Sequence, residues 1–517
     1  MRSAGVLMPI FSLPGDEGIG CFSKEARDFV DFLSKSGQKY WQILPLGPTS
    51  YGDSPYQSFS TFAGNPYFIS LRTLEDKGLL EHDEWQVDFG GSESDIDYGR
   101  LYEVRYDILR KAYGRFEKIR SDGKSSGRKK KSDPTAGYES FVKANKSWLH
   151  DYAVFMALKD EHDGASFLEW KSEYRLRDKK ALAAFESKHE SEIGFYKFLQ
   201  YEFSVEWKSL KKYANKHGIE IIGDIPIYVA ADSSDVWTSP ELFQMKDDCS
   251  PKAVAGCPPD CFSETGQLWG NPLYNWPYHK KSGYEWWISR MKKCMELYDV
   301  IRIDHFRGFD EYWSVPAKDK TAAGGKWKKG PGMALFKAIH KELGDIRIIA
   351  EDLGFMTDSV RELVRDTGYP NMKIMQFGFD GRKLDSKKTC GPGNEYLPFN
   401  QDKNCVVYTG THDNETMRGI LDNYSEAQLA EIYELLDCKK DISKKKLTRK
   451  LVRYTLSCPA NMAIIPLQDY LELDNSARIN TPSTLGCNWR WRVSKDAFSD
   501  KLAKRMLKWT IIYGRKN

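Results

Sequence analysis

The sequence predicts a (β/α)8 barrel, a closed ring of parallel strands with helical subdomains inserted between them. Three observations carry that prediction. Strand-like runs alternate with helical stretches over most of the chain, the pattern of βαβ units and a parallel sheet. Polar and charged residues gather at the carboxyl ends of four or more of those runs, where a parallel barrel keeps its functional groups. The rival is an open doubly wound sheet, which concentrates ligand contacts at one switch point, often beside a glycine-rich phosphate loop; the sequence holds no GxGxxG or Walker motif. At 517 residues the chain exceeds one compact core, so a single barrel over 1–517 must carry insertions.

Taken in order, Ser23 to Ser36 places Ala26, Phe29, Val30 and Leu33 at helical spacing, with Gly37 just past the end as a cap. The aromatic, β-branched run Tyr40 to Leu46 reads as a strand that breaks at Gly47-Pro48. A polar loop follows, Ser50 to Phe59, in which Ser54 and Tyr56 stand at a strand's carboxyl end. Residues 72–206 read as a mostly helical inserted subdomain, with amphipathic segments around Leu101 to Tyr113, Ser147 to Lys159 and Ile193 to Leu210. Inside it the basic run Arg128 to Lys131 lacks aromatic interleaving and reads as a solvated loop, not a nucleic-acid contact. Buried-strand patterns recur at Ile219 to Val229, Asp299 to Gly308, Asp345 to Gly354, Met372 to Phe379, Asn404 to Glu415 and Met462 to Asp469. Helical stretches such as Met333 to Leu343 and Ser359 to Asp366 separate them. Residues 240–298 are expected to form a loop and subdomain over the site, and 380–403 a small insertion.

Composition narrows the partners. With 41% hydrophobic and 29% charged residues the chain reads as globular. A net charge of +4, from 77 basic against 73 acidic residues, is too small to imply nucleic acid. No run reaches the roughly 18 apolar residues that span a membrane, and Met1 to Pro9 lacks a signal-peptide core, so a cytoplasmic protein is expected. The ten cysteines show no CxxC pairing, and Cys249, Cys257 and Cys261 lack the companions of a zinc site. The 13% aromatic content, with 15 Trp and 28 Tyr, suits core packing and also the stacking of sugar rings.

The chemistry is concentrated at three strand ends, which carry Asp304, Glu351 and Asp413. Two carboxyl groups, one nucleophilic and one that first gives and then takes a proton, are what glycoside cleavage through a covalent intermediate requires. A glutamate has the longer reach for the proton role and its pKa rises beside another carboxylate, while Arg302 next to Asp304 would keep a nucleophile ionised. His412 and Asp413 are placed to bind sugar hydroxyls. Taken singly, each acid is equally a structural ion pair or helix cap; three matching strand ends favour a catalytic set.

The segments Arg302-Ile303-Asp304-His305-Phe306-Arg307-Gly308, Ala350-Glu351-Asp352-Leu353-Gly354 and Thr411-His412-Asp413-Asn414 resemble the motifs of the α-amylase clan. Further blocks narrow the likeness, among them Ser54-Pro55-Tyr56-Gln57-Ser58-Phe59-Ser60, Gly223-Asp224-Ile225-Pro226-Ile227-Tyr228-Val229, Gly266-Gln267-Leu268-Trp269-Gly270-Asn271-Pro272 and Asn488-Trp489-Arg490-Trp491-Arg492. Over nearly its whole length the chain resembles the 4-α-glucanotransferases of glycoside hydrolase family 77, the amylomaltases or disproportionating enzymes. That resemblance implies a retaining transfer of α-1,4-glucan segments between maltooligosaccharides, with glucose released and no metal or organic cofactor. It implies Asp304 as nucleophile, Glu351 as general acid/base and Asp413 as transition-state stabiliser, assisted by Arg302 and His412. Tyr56, Ser54, Asp224, Asp260, Gln267, Trp269, Asn271 and His305 are the implied substrate-binding positions, with Cys249 to Ser263 as a loop over the glucan. The implied partners are α-1,4-glucans as donor and acceptor, bound by a monomer or small homo-oligomer without nucleic acid or membrane. An α-amylase-like hydrolase and an inactive glucan-binding protein are the alternatives. One departure stands out: Asn480-Thr481-Pro482-Ser483-Thr484 holds a serine where the family usually has glycine. A serine takes positive φ only with strain, so the turn is expected to differ.

Overall fold

The computed structural model describes residues 2–50, 52–126, 133–259, 264–379 and 393–516. Twelve strands follow in chain order: β1 (Ser3–Leu7), β2 (Tyr40–Gln42), β3 (Glu220–Pro226), β4 (Ala253–Cys257), β5 (Gln267–Pro272), β6 (Val300–Asp304), β7 (Glu311–Pro316), β8 (Lys326–Lys329), β9 (Ile348–Ala350), β10 (Asn371–Ile374), β11 (Cys405–Tyr408) and β12 (Met462–Pro466). Eight close a parallel barrel in the order β1-β12-β11-β10-β9-β6-β3-β2, and the other four form a separate sheet in the order β5-β4-β7-β8. The barrel strands are almost wholly buried, as expected where helices cover a parallel sheet.

β1 has no counterpart among the strands expected from sequence. Ser3, Ala4 and Gly5 are poor strand formers, yet all five residues of β1 are buried and pair with both β2 and β12. Gly5 is required there: a Cβ would stand 2.5 Å from the Tyr40 Cβ and 2.7 Å from the Tyr40 carbonyl oxygen. Closure of the ring, not local propensity, makes this segment a strand. Other strands are shorter than their apolar runs. The Tyr40 to Leu46 run is strand only through Gln42, and Met375–Gly378 turns into a 3-10 helix. Leu467–Leu471 is helical, although its first residues continue an aliphatic run.

Between β2 and β3 lie helices that include Tyr98–Ser126, Leu149–Glu161 and Glu190–Lys216. The last runs past residue 206 and delivers the chain to β3, with its Trp207 Nε1 donating to the Leu297 carbonyl at 3.1 Å. The sheet β5-β4-β7-β8 draws on both sides of β6, so residues 311–329 join part of the 240–298 segment in one unit. The basic run Arg128 to Lys131, residues 260–263 and residues 380–392 of the small insertion lie outside the described residues. Among the described residues no helix is long and apolar enough to cross a membrane.

Candidate active site

Parallel register brings the carboxyl ends of β3, β6 and β9 side by side, with Asp224 opposite Arg302 and Ile303 opposite Ala350. Because side chains alternate along a strand, Arg302 and Asp304 point to the same side, and Asp224 meets Arg302 from the neighbouring strand. The Arg302 Nη1 donates to both Asp224 oxygens at 2.6 and 2.5 Å, and Nη2 donates to Asp304 Oδ1 at 2.9 Å. Asp224 is fully buried and Arg302 nearly so, a pairing that would be costly without these charge-assisted bonds. Tyr56, carried by the loop after β2, donates its hydroxyl to Asp224 Oδ2 at 2.8 Å, and Ser54 Oγ accepts from the Tyr56 backbone N–H.

Glu351 follows β9 directly and is held by the backbone. Its Oε2 accepts from the His305 N–H at 2.6 Å and its Oε1 from the Leu353 N–H at 2.7 Å. His305 adopts φ +53° to present that N–H, local strain of the kind found at functional sites. From the loop after β11, His412 stacks on the Tyr56 ring with 5.2 Å between centroids and 14° between planes. Its Nε2 lies 3.4 Å from Asp413 Oδ2, while Asn480 Nδ2 donates to Asp413 Oδ1 at 2.6 Å.

Electrostatics divides the acids. Burial, and then the Asp304 charge, push Glu351 up to about 8, against Arg302 and the two backbone N–H donors. Burial also raises Asp304, to about 6, with Arg302 opposing and Asp224 adding to the rise. Arg302 therefore leaves Asp304 the more acidic of the two, although its carboxyl is only 30% exposed. Arg302 itself would be weakened by burial, but Asp224 and Asp304 outweigh that and keep it cationic. Burial, reinforced by Arg307, holds the His305 imidazole down near 3 and hence neutral.

Asp304, His305, His412, Asp413 and Tyr56 face a cleft of about 800 Å³, lined also by Ser54, Gln267, Trp269 and Asn271. A barrel-top cleft with a nucleophile-like carboxylate on an arginine, a second carboxyl kept protonated and aromatic walls is suited to breaking a glycosidic bond. The family model described as 4-alpha-glucanotransferase matches residues 8–497 of this sequence. The chain belongs to the 4-alpha-glucanotransferase family.

Its activity is accordingly that of a 4-alpha-glucanotransferase. The chain is 48% identical to the 4-alpha-glucanotransferase of Clostridium butyricum, over 98% of this chain and 100% of that one. It is 41% identical to that of Thermus thermophilus, over 98% and 97%. Among solved structures, the amylomaltase from Streptococcus agalactiae in complex with acarbose matches with a TM-score of 0.93 and 40% identity, each chain covered completely.

The residues singled out from this glucanotransferase's sequence mostly converge, with two qualifications. Glu351 is 8% exposed, is not among the residues that line the cleft, and has both oxygens accepting from backbone N–H groups. Asp260 lies outside the described residues. Trp269 sets its ring edge-on to His305 at 4.8 Å and donates Nε1 to Gln267 Oε1 at 3.1 Å. Asn271 donates to the Val229 carbonyl at 2.7 Å and accepts from Gln57 at 3.3 Å, so it braces the β5 wall. Two further site residues stood in quoted segments without being assigned a role. Asn480 steadies Asp413, and Trp489 leans on Tyr56 and His412 at 5.9 and 6.0 Å. A search led by carboxylates passes over a neutral amide, although the turn-rich stretch beyond the last barrel strand was a visible signal. Ser483 takes φ +65°, in the left-handed region that favours glycine, despite its side chain.

Proposed function

We propose that this glucanotransferase works by retention, through a glycosyl ester on Asp304. Asp304, ionised against Arg302, attacks the anomeric carbon of an α-1,4-glucan while Glu351 protonates the departing glucosidic oxygen. The observation that carries this is geometric: Asp304 is bound to Arg302 at 2.9 Å, and Glu351 on the adjoining strand end is held by the His305 N–H, where burial and Asp304 push its carboxyl up. Esterification of Asp304 removes one of the two causes that raise Glu351, so the same carboxyl that gave a proton becomes a base. It then deprotonates the 4-hydroxyl of an acceptor glucan, which displaces Asp304 and restores the starting state. Asp413, steadied by Asn480, and His412 hold hydroxyls of the sugar in its distorted form, and the Tyr56 ring packs against it from the cleft wall.

Donors and acceptors are α-1,4-glucans and maltooligosaccharides, with free glucose released from short donors. We place the enzyme in the cytoplasm, where the buried thiols of Cys21, Cys294, Cys405 and Cys458 stay reduced. Incubation with maltotriose tests the reading: glucose together with maltooligosaccharides longer than the substrate is expected. Shorter sugars alone would make the chain a hydrolase and overturn transfer.

A further inference from the structure

We propose that Trp327 and Phe355 form an aromatic shelf that stacks glucosyl units of the acceptor glucan, outside the cleft already described. The proposal rests on Glu351 being the acid/base and adds the place where the acceptor chain runs. Phe355 is 66% exposed, and its ring lies nearly parallel to that of half-buried Trp327, with 20° between planes and 6.5 Å between centroids. The exposed Phe355 ring, set nearly parallel to half-buried Trp327, offers what the C–H faces of α-linked glucose pack against.

The shelf is rigidly supported. The Arg307 guanidinium carbon lies 4.0 Å from the Trp327 centroid and 5.8 Å from that of Phe355, and Nη1 donates to the Phe355 carbonyl at 2.7 Å. Arg307 is 3% exposed, and its Nε and Nη2 have no hydrogen-bond partner among the described residues. A buried cation with unpartnered donors is costly. Its visible return is to hold both rings in place. Trp313 on β7 meets Trp327 at 67° and 5.1 Å and braces it from within the sheet.

Position names the ligand. Trp327 lies on β8, one edge of the sheet whose other edge, β5, carries Gln267 and Trp269 into the cleft. Arg307 follows His305, whose backbone N–H holds Glu351, and Phe355 follows Leu353, whose N–H holds the other oxygen. Both supports of the shelf are therefore the segments that clamp the acid/base. Glu351 gives its proton to the leaving glucan and takes one from the incoming glucan, so a surface built on its two clamps lies along the path those chains share.

The test uses the full chain, one fixed donor, and isotopically labelled glucose, maltose and maltotetraose as acceptors. Phe355→Ala is expected to raise the KM for maltotetraose by about two- to ten-fold more than the KM for glucose, the worth of one aromatic contact. Phe355→Tyr should restore the wild-type ratio, which a purely structural role of the ring would not require. An equal change for every acceptor, or no change for any, would overturn the shelf while leaving the mechanism standing. Failure of the unsubstituted enzyme to transfer to any acceptor would instead overturn the mechanism, and the shelf with it.

Discussion

Asp304→Asn is expected to move the titration of Glu351 down from about 8 by at least about two units. Burial and the Asp304 charge raise this carboxyl; Arg302 and the N–H groups of Leu353 and His305 lower it. The substitution removes the second cause of the rise, and it also releases Arg302 from one of the two carboxylates that share its charge. Both changes act downward. At the separation of about 5.5 Å used by retaining enzymes, and an effective dielectric constant of about 20, one unit charge is worth about 3 kcal/mol, or about two pKa units. Carbonyl-labelled glutamate followed by NMR across pH reads the shift without turnover. The unsubstituted enzyme supplies the kinetic counterpart, a bell-shaped dependence of kcat/KM. Its acid limb falls near 6, where Asp304 becomes protonated and loses its nucleophilicity, and its alkaline limb near 8, where Glu351 loses the proton it must donate. One unit outside either limb the rate should drop about ten-fold. If Glu351 still titrates near 8 in the Asp304→Asn protein, burial alone sets its pKa and the conversion of acid into base on esterification is refuted.

Two further substitutions probe the loop that carries Asn480 and Ser483. Asn480→Ala removes the 2.6 Å hydrogen bond to Asp413 and should lower kcat about ten-fold, in keeping with about 1–1.5 kcal/mol for one positioning bond. Steady-state kinetics checks it; a rise in KM at constant kcat would mean that Asn480 serves binding and not the transition state. Ser483→Gly relieves a non-glycine residue at φ +65°, a gain of about 1–2 kcal/mol, less about 0.5–1 kcal/mol for the freer unfolded chain. A denaturant midpoint higher by the difference is expected, and a lower one would show that the serine side chain makes a contact worth more than its strain.

The sequence alone determined the parts of this protein whose causes are local. The aliphatic runs of β6 and β9 end in or at charged residues, β3 carries Asp224 in its far half and β11 is followed by His412 and Asp413; that contrast within a few positions is enough to locate a strand, its carboxyl end and a candidate acid. The helix Lys24–Lys35 was equally plain from its spacing and from Gly37 just past its end. Only the tertiary structure decided what depends on ring closure. β1 is a strand because Tyr40 and Ile464 leave room for Gly5 between them, which nothing in Ser3-Ala4-Gly5 announces. The sheet beside the cleft joins segments from both sides of β6, a pairing without local periodicity to betray it. The separations at the site make the same point: 78 residues between Arg302 and Asp224, 46 between His305 and Glu351, 67 between Asn480 and Asp413. Side-chain chemistry is written at each position, but a pKa near 8 on Glu351 is the joint effect of burial, a neighbouring carboxylate and two backbone donors, and these meet only when the barrel closes.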